Sequence, residues 1–143
     1  NEKYESSSLI RLNFNDAVSK FEDNSIDILH LDGCHYYESV LKDFNNWLPK
    51  VKNNGYILFH DVCIHREGFG VAKLWNEIHN EYPSFLFPHS CGLGIIKKTK
   101  DDPSYIFNDF RPENQNYIHA YYKAVSEKSL LEYKLMELTN SLA

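Results

Sequence analysis

Two short apolar runs, each followed by polar residues, dominate the pattern of the chain. Ile26–Leu31 is rich in Ile and Leu and is followed by Gly33, and Tyr56–Phe59 comes after the turn signal Asn53-Asn54-Gly55. Between them, apolar residues recur at helical spacing up to a proline. These positions are Tyr37, Val40, Leu41, Phe44 and Leu48, before Pro49. The order predicts two parallel strands joined by a crossover helix, with both carboxyl ends at one edge of the sheet.

Further elements are predicted on both sides of this unit. Upstream, Ser8–Asn13 is interpreted as a strand, and Asn15 as the cap of a short helix. Downstream, Val71–Asn80 has an apolar helical face, and Phe85–Phe87 and Leu93–Lys97 are interpreted as the strands of an antiparallel hairpin. We therefore expect an α/β fold with a mostly parallel sheet, a terminal antiparallel hairpin and a long C-terminal helix.

The C-terminal part of the chain differs in composition from the part that contains these strands and helices. We predict a domain over residues 1–98, a linker containing two prolines over 99–116, and a helix over 117–143. Along Tyr117–Leu142, every third or fourth residue continues one seam, and Lys128 puts a charge in its middle. The helix either packs on its own domain or mediates self-association, and both interpretations stay open.

Composition and charge limit the classes of function. The 143 residues fit one domain, and a net charge of −5 argues against a nucleic-acid surface. No apolar run approaches the roughly 20 residues of a membrane span, and the first residues are polar, so we predict a cytoplasmic protein without a membrane partner. Its three cysteines lack CxxC spacing and are expected to be reduced. Because the sequence begins without Met, we expect a fragment or a processed chain.

The two strand ends carry the candidate chemistry. Asp32 follows the first strand, and His60 and Asp61 end the second. Two carboxylates at one sheet edge suit Mg²⁺, which uses few protein ligands and keeps water and substrate oxygens. If His60 is also a ligand, the site would favour Mn²⁺, Fe²⁺ or Zn²⁺ over Mg²⁺. The alternative is that Asp32 caps the next helix and that His60 is a core histidine.

His35 lies three residues after Asp32 and is the candidate catalytic base. An imidazole titrates near neutrality, so it can accept a proton from a hydroxyl whose pKa a metal has lowered. Tyr36 and Tyr37 are candidates for a substrate pocket, and the loop Val62–Gly70 is either a lid or an ordinary surface loop. A metal-dependent hydrolase is a second enzyme reading, although no HxH or HExxH spacing appears. Its candidate residues are Asp32, His35, His60, Asp61 and His65.

The stretch from Ser8 to Lys98 resembles the metal-dependent class I S-adenosylmethionine methyltransferases. The resemblance is carried by Asp32-Gly-Cys-His35, His60-Asp61 and the motifs FGVAKLWNEI and GLGII, and it is nearest to a bacterial subgroup associated with glycosyltransferases and antibiotic-sugar tailoring. It implies a Rossmann-like sheet, an O-methyltransferase activity on a hydroxyl acceptor such as a sugar, and S-adenosylmethionine and Mg²⁺ as cofactors. It also implies that Asp32, His60 and Asp61 hold the metal and that His35 is the base. Relatives carry Glu-Asp where this chain has His60-Asp61.

The resemblance also implies that the glycine-rich cofactor loop and the acidic ribose ligand lie upstream of the equivalent of Ser8. Asn13 and Phe14 would then sit near the adenine, and we expect weak or no cofactor binding by this piece alone. A missing neighbour would leave the edge of Ile26–Leu31 open, so we expect dimerisation, element swapping or a longer polypeptide. A reading from a different class is a catalytically silent remnant that serves as a binding or oligomerisation module.

Overall fold

The computed structural model describes residues 4–99 and 110–141, and it contains a four-stranded sheet. The strands are β1 (Ile26–Leu31), β2 (Val51–His60), β3 (Ser84–Phe87) and β4 (Leu93–Lys97), in the spatial order β1-β2-β4-β3. The β1–β2 pairing is parallel, and β4 is antiparallel to both β2 and β3. The predicted α/β fold is confirmed, including the terminal antiparallel hairpin and the long C-terminal helix.

Four α-helices accompany the sheet in the described residues. They are α1 (Phe14–Ala17), α2 (Tyr37–Trp47), α3 (Val71–Ile78) and α4 (Gln115–Ser141). Short 3₁₀ turns follow α1 at Val18–Lys20, follow α2 at Leu48–Lys50, and precede α4 at Pro112–Asn114. α2 is the crossover between the parallel strands, and α3 leads into the hairpin.

The main core lies between one face of the sheet and helices α2 and α3. Alternate strand residues point into it, because successive side chains in a strand point to opposite faces. Ile57 and Phe59 of β2 are fully buried there, and Leu74 of α3 covers them. The Phe59 ring lies between Phe44 of α2 and Trp75 of α3, with ring centroids 5.7 and 6.0 Å away.

The opposite face of the sheet is covered in part by the first turns of α4. Phe85 and Phe87 of β3 form a second apolar cluster with Ile118, and His119 Nε2 lies 2.8 Å from the carbonyl oxygen of Leu86. Toward β1 this face is open, and Ile28 is 62% exposed. The C-terminal helix therefore packs on its own domain at its start, as one of the two interpretations predicts.

Three predicted local features near the two strands are wrong. Ser8–Asn13 is irregular rather than a strand, since it pairs with no strand among the described residues. Asn13, not Asn15, caps α1, and its side-chain oxygen accepts the amide of Asp16 at 3.0 Å. Asn53–Gly55 is a bulge inside β2, because Asn54 and Gly55 still exchange backbone hydrogen bonds with Lys98.

The predicted ends of two helices also differ from the structure. α3 ends at Ile78, two residues earlier than expected, and Leu48 lies in a 3₁₀ turn beyond α2. The expected apolar seam of α4 is exposed at Leu131, Leu135 and Leu138. Leu142 and most of the predicted linker lie outside the described residues. No helix in the described part of the chain has the length and apolarity needed to cross a bilayer.

Candidate active site

The two parallel strands end side by side, and this brings Asp32, His35, His60 and Asp61 together. Leu31 of β1 is in register with Phe59 of β2, so the next residues, Asp32 and His60, lie at the same edge of the sheet. Asp61 then adopts a positive φ of 64°, an unusual conformation for a residue with a side chain. Its amide donates to the carbonyl oxygen of Gly92 at 3.0 Å, which ties the end of β2 to the β3–β4 turn.

Both imidazoles approach the two aspartates. His35 Nε2 lies 3.2 Å from Asp61 Oδ2 and 3.7 Å from Asp32 Oδ1. His60 Nδ1 lies 3.0 Å from Asp61 Oδ1 and 3.4 Å from Asp32 Oδ1. Asp32, His35 and Asp61 each offer a ligand atom, and these atoms lie within 4.8 Å of one another. The side chain of Asp61 is 13% exposed and that of Asp32 is 45% exposed, so the cluster has an inner and an outer carboxylate.

The two imidazole nitrogens that face the aspartates have no hydrogen-bond partner of good geometry among the described residues. His35 Nε2 and His60 Nδ1 are both buried atoms, and neither forms a hydrogen bond despite the short distances to carboxylate oxygens. Buried polar atoms in folded proteins are nearly always satisfied, so two such atoms aimed at one point need an explanation. A cation held by the two carboxylates and His60 Nδ1 would satisfy one of these nitrogens, and a hydroxyl or water beside that cation would satisfy His35 Nε2.

The loop Val62–Gly70 holds the ring of His35 from the side. Phe69 stacks on the His35 ring with centroids 4.5 Å apart and an interplanar angle of 18°, and the Arg66 guanidinium lies 4.7 Å from the centroid of the Phe69 ring. The amide of Gly70 donates to the carbonyl oxygen of His35 at 2.7 Å. The loop therefore packs on the candidate base and restricts its orientation.

Phe69 is a site residue that the sequence reasoning did not single out. Aromatic residues in loops are common, and no spacing relates Phe69 to His35, which lies 34 positions earlier. The adjacent Gly70 could have indicated that the loop backbone approaches another backbone segment closely, because glycine is favoured where two backbones touch. A Cβ at Gly70 would collide with the backbone of Tyr37.

Tyr37 is engaged by α3 rather than free to line a pocket. Its hydroxyl donates to Glu77 Oε2 at 2.7 Å, and Lys73 Nζ lies 3.7 Å from the centroid of its ring. The hydrogen bond to Glu77 raises the pKa of the Tyr37 hydroxyl. Tyr36 is exposed and remains a candidate for substrate contact.

Asn13 and Phe14, the predicted cofactor contacts, both have local partners. Asn13 caps α1, and the ring of Phe14 packs against Trp47 with centroids 5.4 Å apart. His65, which belongs to the hydrolase reading, lines a cleft along α3 together with Arg66 and Lys73. It is not part of the three-residue group formed by Asp32, His35 and Asp61 within the described residues.

The cysteines near the site are free thiols. Cys34, next to His35, is exposed, and hydrogen bonds from Ser39 and from the backbone of Tyr36 lower the pKa of its thiol. Burial raises the pKa of the Cys63 thiol. These different surroundings make Cys34 the more readily ionised of the two thiols.

Comparison with known proteins relates the site-bearing part of the chain to methyltransferases. Residues 2–62 match the model of a family described as a methyltransferase domain. This range covers less than half of the chain, and it contains α1, β1, α2 and β2 together with Asp32, His35, His60 and Asp61. The match supports a methyltransferase-type domain.

Two curated relatives match over longer ranges, and both are much longer than the matched region. The uncharacterised protein y4gI of Sinorhizobium fredii is 43% identical over 90 residues, which are 63% of this chain and 10% of that protein. The uncharacterised protein R132 of Acanthamoeba polyphaga mimivirus is 41% identical over 71 residues, or 48% of this chain and 32% of that protein. The chain thus spans a tenth to a third of these relatives.

Among solved structures, a protein from Corynebacterium glutamicum aligns with a TM-score of 0.48 and 12% sequence identity. The alignment covers 61% of this chain and 45% of that protein.

Proposed function

We propose that this chain carries the metal-binding and acid–base part of an S-adenosylmethionine-dependent O-methyltransferase. The observation that carries the proposal is the pair of buried, unpartnered imidazole nitrogens that face two aspartates at the ends of parallel strands. The match of residues 2–62 to a methyltransferase domain supports the type of reaction. The acceptor would be a small molecule with a hydroxyl group, such as a sugar.

The donor set fits a divalent metal. Asp32 and Asp61 would supply carboxylate oxygens, and His60 would supply Nδ1 from the side facing away from the main core. His60 is not part of the group of ligand atoms within 4.8 Å that His35 forms with the two aspartates in the described residues. Mg²⁺ accepts two carboxylates and keeps the remaining positions for water and substrate, whereas an imidazole ligand favours Mn²⁺, Fe²⁺ or Zn²⁺. When bound, the ion would lower the pKa of the acceptor hydroxyl and fix the orientation of the acceptor.

His35 is the proposed base, and its surroundings suit that role. Phe69 fixes the plane of the imidazole, and the hydrogen bond from Gly70 to the His35 carbonyl fixes its backbone. His35 Nε2 points at the carboxylates, where an acceptor hydroxyl would lie, and it forms no hydrogen bond of good geometry in the described chain. His35 therefore takes the hydroxyl proton, and Asp61 stabilises the imidazolium that forms.

Among the described residues, the proposed contacts with S-adenosylmethionine are confined to the start of α1. Asn13 and Phe14 are neighbours at the start of α1 and remain the proposed cofactor contacts, but both already have partners within the chain. The cofactor would supply the methyl group.

A Mn²⁺ titration followed by electron paramagnetic resonance tests the metal site. Wild type is expected to bind one ion per chain, and Asp61→Asn to lose at least about tenfold in affinity because the inner carboxylate is removed. His35→Ala should keep the affinity and, in a protein that contains this chain and transfers methyl groups, should abolish transfer.

His30→Ala is the matched control for this titration. His30 lies on the same side of the sheet, with its ring 6.3 Å from that of His60, and within the described residues it forms no ion pair with either aspartate. Its affinity for Mn²⁺ should equal that of wild type. Absence of stoichiometric binding in wild type would remove the metal site, and full transfer activity in His35→Ala would remove the base.

A catalytically silent binding module is the second candidate, and the exposed outer part of α4 favours it. Leu131, Leu135 and Leu138 are each more than half exposed on one side of the helix. Such a module would associate through α4 without binding an ion, so the same Mn²⁺ titration separates the two functions.

A further inference from the structure

A cavity of about 310 Å³ lies between the β3–β4 turn and α4, on the face of the sheet opposite the main core. Its described walls include Phe87, His89 and Ser90 from the hairpin, Tyr122 and Ser126 from α4, and His60 from the end of β2. A volume of this size is at the lower end for small-molecule sites. The cavity is separate from the cleft along α3 that includes Arg66 and Lys73.

The walls of this cavity are held in place by contacts. The ring of Phe87 packs edge-on against Tyr122 with centroids 5.0 Å apart and against His89 at 6.0 Å. Ser90 and Gly92 have positive φ angles of 56° and 84°, and the Gly92 amide donates to the His89 carbonyl at 3.1 Å, so the turn is tight. The α4 side is fixed because Ile118 and His119 pack on β3 one turn earlier.

His60 connects this cavity with the candidate metal site. Its ring lines the cavity, while its Nδ1 lies 3.0 Å from Asp61 Oδ1 and 3.4 Å from Asp32 Oδ1. The Gly92 carbonyl accepts the amide of Asp61, so the turn that forms one wall is bonded to the inner carboxylate residue. The His60 ring therefore lies between the cavity and the aspartates, and a group in the cavity would reach them past this ring.

The chemistry of the walls defines the type of molecule that fits. No Asp, Glu, Lys or Arg is among the lining residues in the described part of the chain, whereas the cleft along α3 is lined by Arg66, Glu67, Lys73 and Glu77. Aromatic and imidazole rings suit the face of a ring, and the serine hydroxyls and imidazoles hydrogen-bond to hydroxyl groups. A charged group would find no oppositely charged side chain among these lining residues.

We propose that this cavity is the acceptor site and that it takes an uncharged ring compound with hydroxyl groups, one of which points past His60 to the aspartates. The proposal rests on the proposed function for the role of the site, but binding to the cavity does not depend on the metal. It makes the first turns of α4 part of the substrate site rather than only a packing element.

Saturation-transfer NMR with three probes tests the proposal on the full chain. Methyl β-D-glucopyranoside and catechol are uncharged and distinguish a saccharide from a phenol, and glucose 6-phosphate adds charge to a sugar ring. At least one neutral probe should bind in preference to glucose 6-phosphate. With Mn²⁺ present, the resonances of the bound probe should broaden because the ion is close.

Two tryptophan substitutions on α4 locate the binding. Ser126→Trp fills the cavity and should weaken probe binding at least about tenfold, while Mn²⁺ affinity stays at the wild-type value. Glu127→Trp introduces the same ring one residue further along, at an exposed residue that does not line the cavity, and should leave probe binding unchanged.

Several results would overturn the assignment. Unchanged probe binding in Ser126→Trp would exclude this cavity, and preferred binding of glucose 6-phosphate would exclude an uncharged acceptor. No saturation transfer to any probe at millimolar concentration would also contradict it. A wild-type chain that shows saturation transfer but binds no Mn²⁺ would instead contradict the proposed function and leave the cavity as a ligand site.

Discussion

At the scale of single residues, the site depends on how one imidazole is oriented. The proposed base, His35, requires Nε2 to face the carboxylates, and the ring can otherwise rotate about its side-chain bonds. Its stacking on Phe69 opposes that rotation, and Arg66 on Phe69 adds a cation–π contact. The orientation of His35 is therefore set by a loop distant from it in sequence.

Phe69→Ala should release the His35 ring. We expect the ring resonances of His35 in proton–nitrogen correlation spectra to broaden or shift toward averaged values, because the stacked partner is gone. Phe69→Tyr keeps an aromatic ring and should preserve the wild-type spectrum. A sharp and unshifted His35 ring signal in Phe69→Ala would show that Phe69 does not position the base.

At the scale of elements, the loop Val62–Gly70 and the start of α2 meet at a close backbone contact. Gly70 lies against the backbone of Tyr37, where a Cβ finds no space, and this contact brings the start of α3 to the start of α2. The same glycine is bonded to His35, because the Gly70 amide donates to its carbonyl oxygen at 2.7 Å.

Gly70→Ala is expected to lower the free energy of unfolding by about 2 kcal/mol or more, since backbone has to shift to admit the methyl group. Gly33→Ala is the control near the same site. A Cβ at Gly33 would lie 3.6 Å from Asp43 Oδ2, which is an ordinary contact, so little change is expected. Equal denaturant midpoints for Gly70→Ala and wild type would contradict the close approach.

Helix α2 contains a partly buried carboxylate whose charge opposes folding. Burial raises the pKa of Asp43, and Lys42 counteracts part of that rise. The pKa of Asp43 is higher in the folded chain than in the unfolded one. Asp43 is therefore most favourable to folding when it is protonated, below its unfolded-state pKa, and it becomes unfavourable as pH rises through its folded-state pKa. At neutral pH the ionised Asp43 therefore costs stability.

Asp43→Asn should raise the melting temperature at neutral pH, and the difference from wild type should shrink in acid, below the usual pKa of an aspartate. Glu38→Gln removes a charge from the exposed first turn of the same helix, where a negative charge is favourable, and should not raise stability. Thermal unfolding followed by circular dichroism, at neutral pH and in acid, measures these melting temperatures. A neutral-pH melting temperature at or below wild type would contradict the burial cost.

At the scale of the whole molecule, large apolar side chains remain exposed at several places in the described residues, and two of them are extended surfaces. One is the open face near β1, where Ile28 is exposed, and the other is the outer part of α4, where Leu131, Leu135 and Leu138 follow a seam of alternating steps of three and four. Such a seam is typical of helices that associate, and Lys128 weakens it near its middle. We expect the chain to self-associate through α4.

Leu135→Lys should lower the mass measured by light scattering toward that of the monomer, because it puts a charge into the seam. Tyr133→Lys places the same side chain on the same turn but outside the seam, and should leave the mass unchanged. Both side chains are more than half exposed, so neither change should affect folding. A monomeric wild-type chain, or equal masses for both variants, would exclude association through this seam.

Local sequence patterns were sufficient for the elements that carry the site. The apolar runs of β1 and β2, the helical spacing of α2 and the hairpin β3–β4 are local patterns, and they predict strands, a crossover and a shared edge. The position of Asp32, His60 and Asp61 at that edge follows from being next to a strand end. Local patterns failed for Ser8–Asn13, because whether an apolar run becomes a strand depends on a pairing partner that it cannot specify.

The sequence by itself determined which residues lie at the sheet edge and what ligands they offer. Only the tertiary structure decided that His35 and His60 both aim an unpartnered nitrogen at the same carboxylates, that Phe69 stacks on one of them, and that α4 closes a cavity beside the other. The reason is physical: strand and helix periods act between near neighbours in the chain. Stacking, cavity walls and shared ligand positions depend on distances between segments that only the packed fold brings together.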